Sequence, residues 1–353
     1  MKKQVSIAML LLLITVTINA QTEFKPGGTG IGTVFFNYKY DLTKDVEKKS
    51  SFNLERAYLG YKYDFTQTLS GRVIFDVTYN DATKSYSAFA KNAFMEWTAL
   101  PQLKITFGLI PLKHFELQER VWGNRYIMKT FTDEYGMGTT ADLGVNVELP
   151  LNDMLTINAY LVNGEGFKGI QDDFGMHKFG ANATVKPVDG LNVRLHYDMM
   201  GNKYKVPINE EGDFEVKDTS TVSVFTAFVG YEKKDVFRAG VEYNLMNNGI
   251  TFLKPAEGRK LSGISVFGTY IIDPKWEVFA RYDYLTSNTL EGADNPWNFD
   301  KVGAYANGSM IMGGLQYKVT KGVNLALNYR TYMNKNEDLT NPSALYLNMG
   351  IFF

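Results

Sequence analysis

Charged residues recur in this sequence as pairs of an arginine and a carboxylate. The carboxylate follows the arginine by four residues in three pairs and by two in the fourth: Arg72 and Asp76, Arg194 and Asp198, Arg238 and Glu242, Arg281 and Asp283. In an extended chain both members of a pair point to the same face, and a four-residue spacing separates them by about 13 Å. Arranged around water, such charges would attract and sort small ions. The alternative is that charges on neighbouring strands pair with one another and brace a wall.

The same face of the predicted strands carries further charges. The basic group is extended by Lys104, Lys178 and Arg330, and the acidic group by Glu96, Asp142 and Glu148. If the arginines form a ring around a narrow aqueous space with low-dielectric walls, their fields add and enrich small anions. Because the carboxylates oppose this field, the pattern predicts a weak anion preference rather than strict exclusion of cations.

Catalytic and metal-binding chemistry is poorly supported. The chain has no cysteine and only three histidines, His114, His177 and His196, and no serine is placed beside His196 to complete a catalytic triad. No spacing is typical of a metal site. The glycine-rich "GGTGIG" that begins at Gly27 precedes no predicted helix and therefore does not match a phosphate-binding loop. The sequence predicts no enzyme and no cofactor.

Alternating stretches recur from Gly30 to the end of the chain and define sixteen predicted strands. Seven connections are short turns rich in Pro, Asp, Asn, Gly and Lys, such as "KPVDGL" and "IDPKWE". They alternate with longer polar connections, the largest at 111–139, 201–219 and 287–306. An even number of strands of about ten residues, with short turns at one end and long loops at the other, is typical of bacterial outer-membrane barrels. We therefore predict an all-β fold: a transmembrane antiparallel β-barrel of about 16 strands, with short periplasmic turns and long extracellular loops.

The two faces of the predicted strands differ in polarity. In "LNVRLHYDM", residues 191–199, the apolar positions from Leu191 to Met199 alternate with Asn192, Arg194, His196 and Asp198. Lipid outside and water inside account for this division, and only a closed barrel pairs all backbone groups of a sheet within a bilayer. A soluble propeller is the alternative for a repeat of about 40 residues, but a propeller blade needs four short strands. Each repeat here holds two long ones.

Both ends of the chain fit a barrel. The charged "MKK", the apolar run from Ile7 to Val16 and the small-residue end "INA" predict a secretory signal peptide over residues 1–20. The run is shorter than the roughly 20 residues of a spanning helix. The rest, 21–353, is predicted to form one barrel domain in the outer membrane. The final "LYLNMGIFF" is apolar at every second position up to Phe353, so we expect the last strand to pair with the strand near Val34 to Tyr40 and to close the ring.

The loop at 111–139 is the longest and contains many large apolar residues, including Phe115, Trp122 and Phe131. An exposed loop has little use for such residues, so we expect it to fold into the lumen, pack on the wall and narrow the opening. Its charged residues would then face the opening: Lys113, Glu116, Glu119, Arg120, Arg125, Lys129, Asp133 and Glu134. The alternative is an external lid or a loop that contacts other subunits of a trimer.

The stretch "KNAFMEWTALPQLKITFGLIPLKHFELQERVWGNRY", residues 91–126, together with the signal peptide, the strand count and the terminal Phe353, resembles the porins named after the phosphate-selective porins O and P. The resemblance implies a homotrimeric outer-membrane porin, in contact with lipid and lipopolysaccharide, for passive diffusion of small polar or anionic solutes, phosphate among them. In the founding members selectivity depends on a ladder of lumenal arginines and a lysine cluster, and no residue of this chain is assigned to either set.

Two functions remain open at this point. One is a diffusion porin with a water-filled lumen wide enough for an aqueous channel, as sixteen strands allow. The other is an outer-membrane barrel that serves as a solute-binding receptor or adhesin and has a plugged lumen. The near balance of 37 basic and 38 acidic residues suggests no nucleic-acid partner.

Overall fold

A computed structural model describes residues 24–80, 83–208, 214–251, 254–288, 307–335 and 339–353. The predicted signal peptide and most of the predicted loop 287–306 lie outside the described residues. Sixteen strands and two short helices occur, with the following bounds: β1 (Gly27–Asp41), β2 (Ser50–Asp64), β3 (Leu69–Asn80), β4 (Ser85–Leu100), β5 (Leu103–Pro111), α1 (Glu116–Trp122), α2 (Phe131–Glu134), β6 (Ala141–Pro150), β7 (Leu155–Val162), β8 (Lys178–Val185), β9 (Leu191–Pro207), β10 (Phe214–Lys233), β11 (Phe237–Thr251), β12 (Lys254–Ile271), β13 (Trp276–Ser287), β14 (Gly308–Thr320), β15 (Val323–Asn334) and β16 (Ser343–Phe352).

The strands form one closed barrel in which every strand pairs with its sequence neighbours and β1 pairs with β16. The closing pair is antiparallel and runs from Thr33 opposite Phe352 to Asp41 opposite Ala344. Closure therefore occurs between the two strands that the terminal pattern predicted. The sixteen-stranded antiparallel fold class is confirmed.

The outer surface of the barrel is apolar, as the alternation predicted. On β9, Leu195 and Tyr197 are exposed, whereas their neighbours His196 and Asp198 are buried inside. β16 follows the same pattern, with Leu345 and Leu347 exposed on the outside. A closed sheet that exposes large aliphatic and aromatic side chains on its outer face requires an apolar medium around it.

One predicted loop is wrong in part. Residues 201–207 and 214–219 of the predicted loop 201–219 continue β9 and β10 as a paired hairpin, with Phe214 opposite Pro207 and Thr219 opposite Asn202. The prediction ended the strands where apolar and polar residues stop alternating. That alternation reflects the contact with lipid, whereas hydrogen-bonded pairing continues into water.

Residues 112–140, the inner loop, contain both helices and lie within the barrel. β5 is short and ends at Pro111, whose partner Ala141 begins β6, so the loop leaves and rejoins the wall between adjacent strands. Its apolar side chains are buried together with inward-facing residues of the barrel, among them Phe228, Phe267 and Phe279. Within the described part of the chain, no helix is long and apolar enough to cross a bilayer.

Candidate functional site

The inner loop is anchored by Trp122 at the end of α1. The indole ring is fully buried, and its centroid lies 5.2 Å from the ring of Phe267 on β12 and 6.0 Å from that of Phe279 on β13. Its Nε1–H donates to the backbone oxygen of Met128 at 3.0 Å. This part of the barrel interior is therefore a packed hydrophobic core.

Polar side chains of the wall also hold the loop. Thr132 donates to Glu242 Oε1 at 2.5 Å, and the hydroxyl of Tyr135 donates to Asp283 Oδ2 at 3.3 Å. Arg281 donates to the backbone oxygen of Lys129. Glu242, Arg281 and Asp283 are buried beneath the loop. These three predicted lining residues thus contact the loop instead of open water.

Tyr126 of the loop lies over the seam between β1 and β16. Its ring is 6.3 Å from Phe35 on β1 and 6.4 Å from Phe352 on β16. Its hydroxyl donates to Gln316 on β14 at 2.6 Å, and its backbone oxygen accepts from Asn348 at 3.4 Å. The inner loop therefore contacts both strands that close the barrel.

The predicted arginine and carboxylate pairs have mostly different partners. Arg281 contacts Asp283 directly, at 2.7 Å. Arg238 pairs instead with Glu277 on β13, at 3.0 Å, and Arg194 donates to Thr184 at 2.8 Å. The remaining contacts are cross-strand as well: Asp76 pairs with Arg56 on β2, and the guanidinium of Arg72 lies 5.7 Å from the ring centroid of Phe94. Most pairing thus crosses from strand to strand, as the bracing alternative expected.

The other predicted basic residues of β8 and β15 are also engaged. Lys178 is buried and lies 3.2 Å from Asp198 Oδ2. The guanidinium of Arg330 lies 4.0 Å from the ring centroid of Tyr346 and donates to the backbone oxygen of Ile127 at 2.6 Å. Both residues therefore support the region where the inner loop docks.

The inner face of β4 to β6 keeps exposed charges near the short turns. Lys104 lies 3.8 Å from Glu96 and 3.6 Å from Glu148, and the side chains of Lys104 and Glu96 are each 32% exposed. Lys113, at the start of the inner loop, pairs with Glu148. These side chains form a row of alternating charges that water can reach, on the part of the wall that the inner loop does not cover.

Most charged residues of the inner loop keep part of their side chain exposed. Arg125 lies 2.7 Å from Glu119 and 3.0 Å from Asp133, and all three side chains keep some exposure. Glu116 and Arg120 are exposed, and Arg120 donates to Asn192 at 3.2 Å. Lys129 and Glu134 are partly exposed. The loop thus presents both signs of charge, with Arg125 held between two carboxylates.

Two lysines opposite the inner loop lie over aromatic rings. Lys91 Nζ, on β4, lies 4.4 Å from the ring centroid of Tyr58 and 5.7 Å from that of Phe167. Lys168 Nζ lies 4.5 Å from the centroid of Phe89 and 5.7 Å from that of Phe167. Phe167 and Lys168 belong to the fourth long loop, residues 163–177. Contacts of this kind attract the ammonium group without neutralising its charge.

Positive charge is in local excess at these lysines. Among the described residues, no carboxylate lies within ion-pair distance of Lys91 or Lys168. Burial and the charge of Arg56, followed by those of Lys129 and Lys91, lower the pKa of Lys168, against the opposing effect of Asp76. Asp76 is itself paired with Arg56. We call the space between the inner loop and these residues of β2, β4 and the fourth loop the passage.

The sequence-based prediction missed Arg56, Lys91 and Lys168. Two β-bulges explain the first two: the β1/β2 register skips Glu55, and the β3/β4 register skips Lys91. A bulge re-aims side chains and breaks strict alternation. Lys168 lies in a loop, where periodicity gives no information about direction. Within the described ranges, no group of three or more potential metal ligands is present.

A closed antiparallel barrel with an apolar outer face and a partly hydrated inner wall belongs to the class of bacterial outer-membrane β-barrels. The solved structures that are similar to it include three outer-membrane proteins. OmpF of Salmonella typhi, in complex with daunomycin, shares 14% identity over 92% of this chain and 97% of that chain, with a TM-score of 0.66. The outer membrane channel DcaP of Acinetobacter baumannii shares 12% identity over 96% and 100%, with a TM-score of 0.64.

The third is OmpT of Vibrio cholerae, an outer membrane protein solved in a trimer form, with 16% identity over 94% of this chain and 100% of that chain and a TM-score of 0.57. At these identities the likeness shows the fold. No protein-family model and no curated protein matches the sequence.

Proposed function

We propose that this protein is an outer-membrane porin whose passage allows passive diffusion of small polar solutes with a preference for anions, phosphate among them. The observation that carries the proposal is the uneven interior of the barrel. The charged side chains of Glu96 on β4 and Lys104 on β5 are each 32% exposed, whereas Asp283 beneath the inner loop has no exposed surface. Hydrated charges along one wall are what a water-filled channel requires.

Lys91 and Lys168 support the anion preference. Their charges lack carboxylate partners within the described part of the chain, and the barrel wall is a low-dielectric boundary that concentrates their field across the passage. Glu119 and Asp133 lie opposite and oppose this field, although both are paired with Arg125. The expected preference is therefore weak.

A solute-binding receptor or adhesin with a plugged lumen is the second candidate. Its support is the inner loop, whose Trp122, Phe131 and Met137 are fully buried inside the barrel. The two functions differ in conduction, because a plugged barrel passes no steady current. The porin proposal includes no enzymatic activity. A homotrimer and contacts with lipopolysaccharide belong to it through the resemblance of residues 91–126 to the phosphate-selective porins.

Single-channel recording in a planar bilayer tests the proposal. We expect the purified protein to give discrete conductance steps whose current is proportional to voltage at low voltage. A reversal potential under a salt gradient then gives the sign of selectivity. The absence of ohmic current at every voltage would contradict the porin proposal and favour the plugged barrel.

Replacing both Lys91 and Lys168 with glutamine tests whether these residues determine the ion selectivity. Because both charges lie on the passage, we expect the reversal potential at low salt to move toward that of a cation-selective pore. Lys234 and Lys321, which are exposed in short turns, provide the matched control. Their double replacement removes the same charge and should leave the reversal potential unchanged.

The sequence pattern placed selectivity on a ring of four arginines, Arg72, Arg194, Arg238 and Arg281, and Arg194 and Arg238 are the pair that tests it. Their hydrogen bonds to Thr184 and Glu277 direct them toward the wall, so replacing both with glutamine should shift the reversal potential less than replacing the two lysines. A larger shift in the arginine variant would indicate that the arginines of β9 and β11 determine the selectivity.

A further inference from the structure

Two histidines are stacked where the inner loop leaves and rejoins the wall. The rings of His114, in the loop, and His196, on β9, lie 5.1 Å apart with an interplanar angle of 26°, and both are buried. Gly138, at the returning end of the loop, is so close that a Cβ there would lie 2.2 Å from His114 Nε2. The His114 ring is therefore held between His196 and the returning backbone. We call these three residues the neck.

The ring of His114 has no partner for an additional proton. Neither ring nitrogen of His114 has a hydrogen-bond partner among the described residues, and neither does Nδ1 of His196. His196 Nε2 lies 3.3 Å from Asp198 Oδ2. A neutral imidazole tolerates this environment at moderate cost, whereas a buried imidazolium without a counter-ion does not.

The charges around the neck are already matched without the histidines. The titratable and charged groups on the surrounding elements are Asp142 on β6, Tyr160 on β7, Lys178 on β8, Arg194 and Asp198 on β9, and Lys113 and Glu116 in the loop. Asp198 accepts from the Tyr160 hydroxyl at 2.9 Å and pairs with Lys178 at 3.2 Å. Asp142 accepts three backbone N–H groups, and Lys113 is paired with Glu148. Protonation of His114 would therefore add positive charge that no free carboxylate opposes.

We propose that the stacked His114 and His196 form an acid-sensitive latch: with His114 neutral, the stack holds the neck of the inner loop against the wall, and protonation of His114 releases the neck and lets the loop shift in the passage. The proposal depends on the porin function only for its electrical readout, because attachment of the loop is measurable without a current.

The direction of the pH effect follows from proton linkage. Burial, followed by the charges of His196, Lys178 and Arg194 against that of Asp198, lowers the pKa of His114 well below its ordinary value. A released neck would restore the ordinary value of about 6.5 and bind protons more readily. The attached state of the neck is thus fully stable above about pH 6.5 and loses stability as the pH falls. The equilibrium constant for attachment decreases by at most about tenfold per pH unit for each proton that is bound on release.

Hydrogen exchange followed by mass spectrometry tests the latch in the folded full-length barrel. After correction for intrinsic exchange rates, peptides from 112–140 should exchange faster at about pH 5 than at about pH 7.5, across the range in which histidine titrates. Peptides from β13 to β15 should keep their protection. Unchanged protection of 112–140 in the unmodified protein would overturn the proposal, whether or not any variant folds.

Variants assign the effect to the pair. Replacing His114 and His196 together with asparagine should abolish the pH dependence, whereas His177→Asn, at an exposed histidine of the fourth loop, should leave it intact. In bilayers, brief closures should become more frequent at acid pH in the unmodified protein and in His177→Asn only. A pH response that persists in the double variant would also overturn the latch. A protein that conducts no current would contradict the porin proposal, and the exchange result would still decide the latch.

Discussion

Trp122 shows how much of the inner loop depends on one side chain. It has no exposed surface and contacts Phe267 and Phe279, which belong to the wall. Replacing it with alanine removes a large aromatic group from a packed core, a change that costs about 3–5 kcal/mol in folded proteins. Because Trp122 makes none of the hydrogen bonds between barrel strands, we expect the loss of stability to affect the docked loop and not the barrel. Peptides from 112–140 should lose protection from hydrogen exchange, while heat-modifiable migration in detergent gels should still report a closed barrel.

Trp97 is the control for this prediction, because it is the same residue type on the outer face of β4 and is 48% exposed. Trp97→Ala leaves no cavity in the loop core, so protection of 112–140 should stay at its original level. Equal loss in both variants would mean that Trp122 acts through general stability of the barrel.

The closing strand illustrates what single elements contribute. Beyond the paired region, Gly32 N–H donates to Phe353 O at 2.7 Å and Phe353 N–H donates to Gly32 O at 2.9 Å. A Cβ at Gly32 would lie 2.1 Å from the Phe353 ring, so a larger residue there would require the ring to move aside. Deleting Phe353 removes both terminal hydrogen bonds, each worth about 1 kcal/mol, and an exposed terminal aromatic. We expect a lower folded yield, measured by heat-modifiable migration of the membrane fraction. Deletion of Lys44, in the exposed loop before β2, should have a smaller effect; an equal effect would remove the special role of Phe353.

The strands were predictable because lipid and water impose an alternation that is visible in the sequence. β13 (Trp276–Ser287) is an example, because exposed and buried side chains alternate strictly over its first eight residues. The inward direction of the long loop was also predictable, since Phe115, Trp122 and Phe131 need burial. The β9 and β10 extensions were not predictable in this way, because pairing in water leaves little polarity pattern.

The partners of the charged residues could not be obtained from spacing along one strand. Arg238 on β11 contacts Glu277 on β13, two strands away, and Arg56 on β2 contacts Asp76 on the adjacent β3, because the register between strands sets these distances. Register depends on turns and bulges, and the bulge at Lys91 is not evident in the sequence. Sequence reasoning therefore identified the inward-facing charges of regular strands. It missed those residues of the passage whose direction is set by a bulge or a loop.

At the scale of the whole molecule, charge is nearly balanced, so the proposed preference between solutes would have to come from the distribution of charge. The chain has a formal net charge of −1, yet Lys91 and Lys168 carry a local positive excess. Such a field is screened by salt, and the Debye length falls from about 10 Å at 0.1 M to about 3 Å at 1 M. We expect the anion preference measured by reversal potential to decrease strongly between these concentrations. A preference that persists at about 1 M would indicate direct binding of the anion in the passage.

The position of Tyr126 over the seam has a consequence for the order of assembly. Phe35 from one edge strand, Phe352 from the other and Tyr126 from the inner loop meet in one place, although these residues lie far apart in the chain. An open sheet with its edges apart offers the loop only half of this binding surface, and an undocked loop leaves the two edges without the ring that bridges them. We therefore expect docking of the inner loop and pairing of the first strand with the last to depend on each other, so that interior packing and barrel closure are completed together.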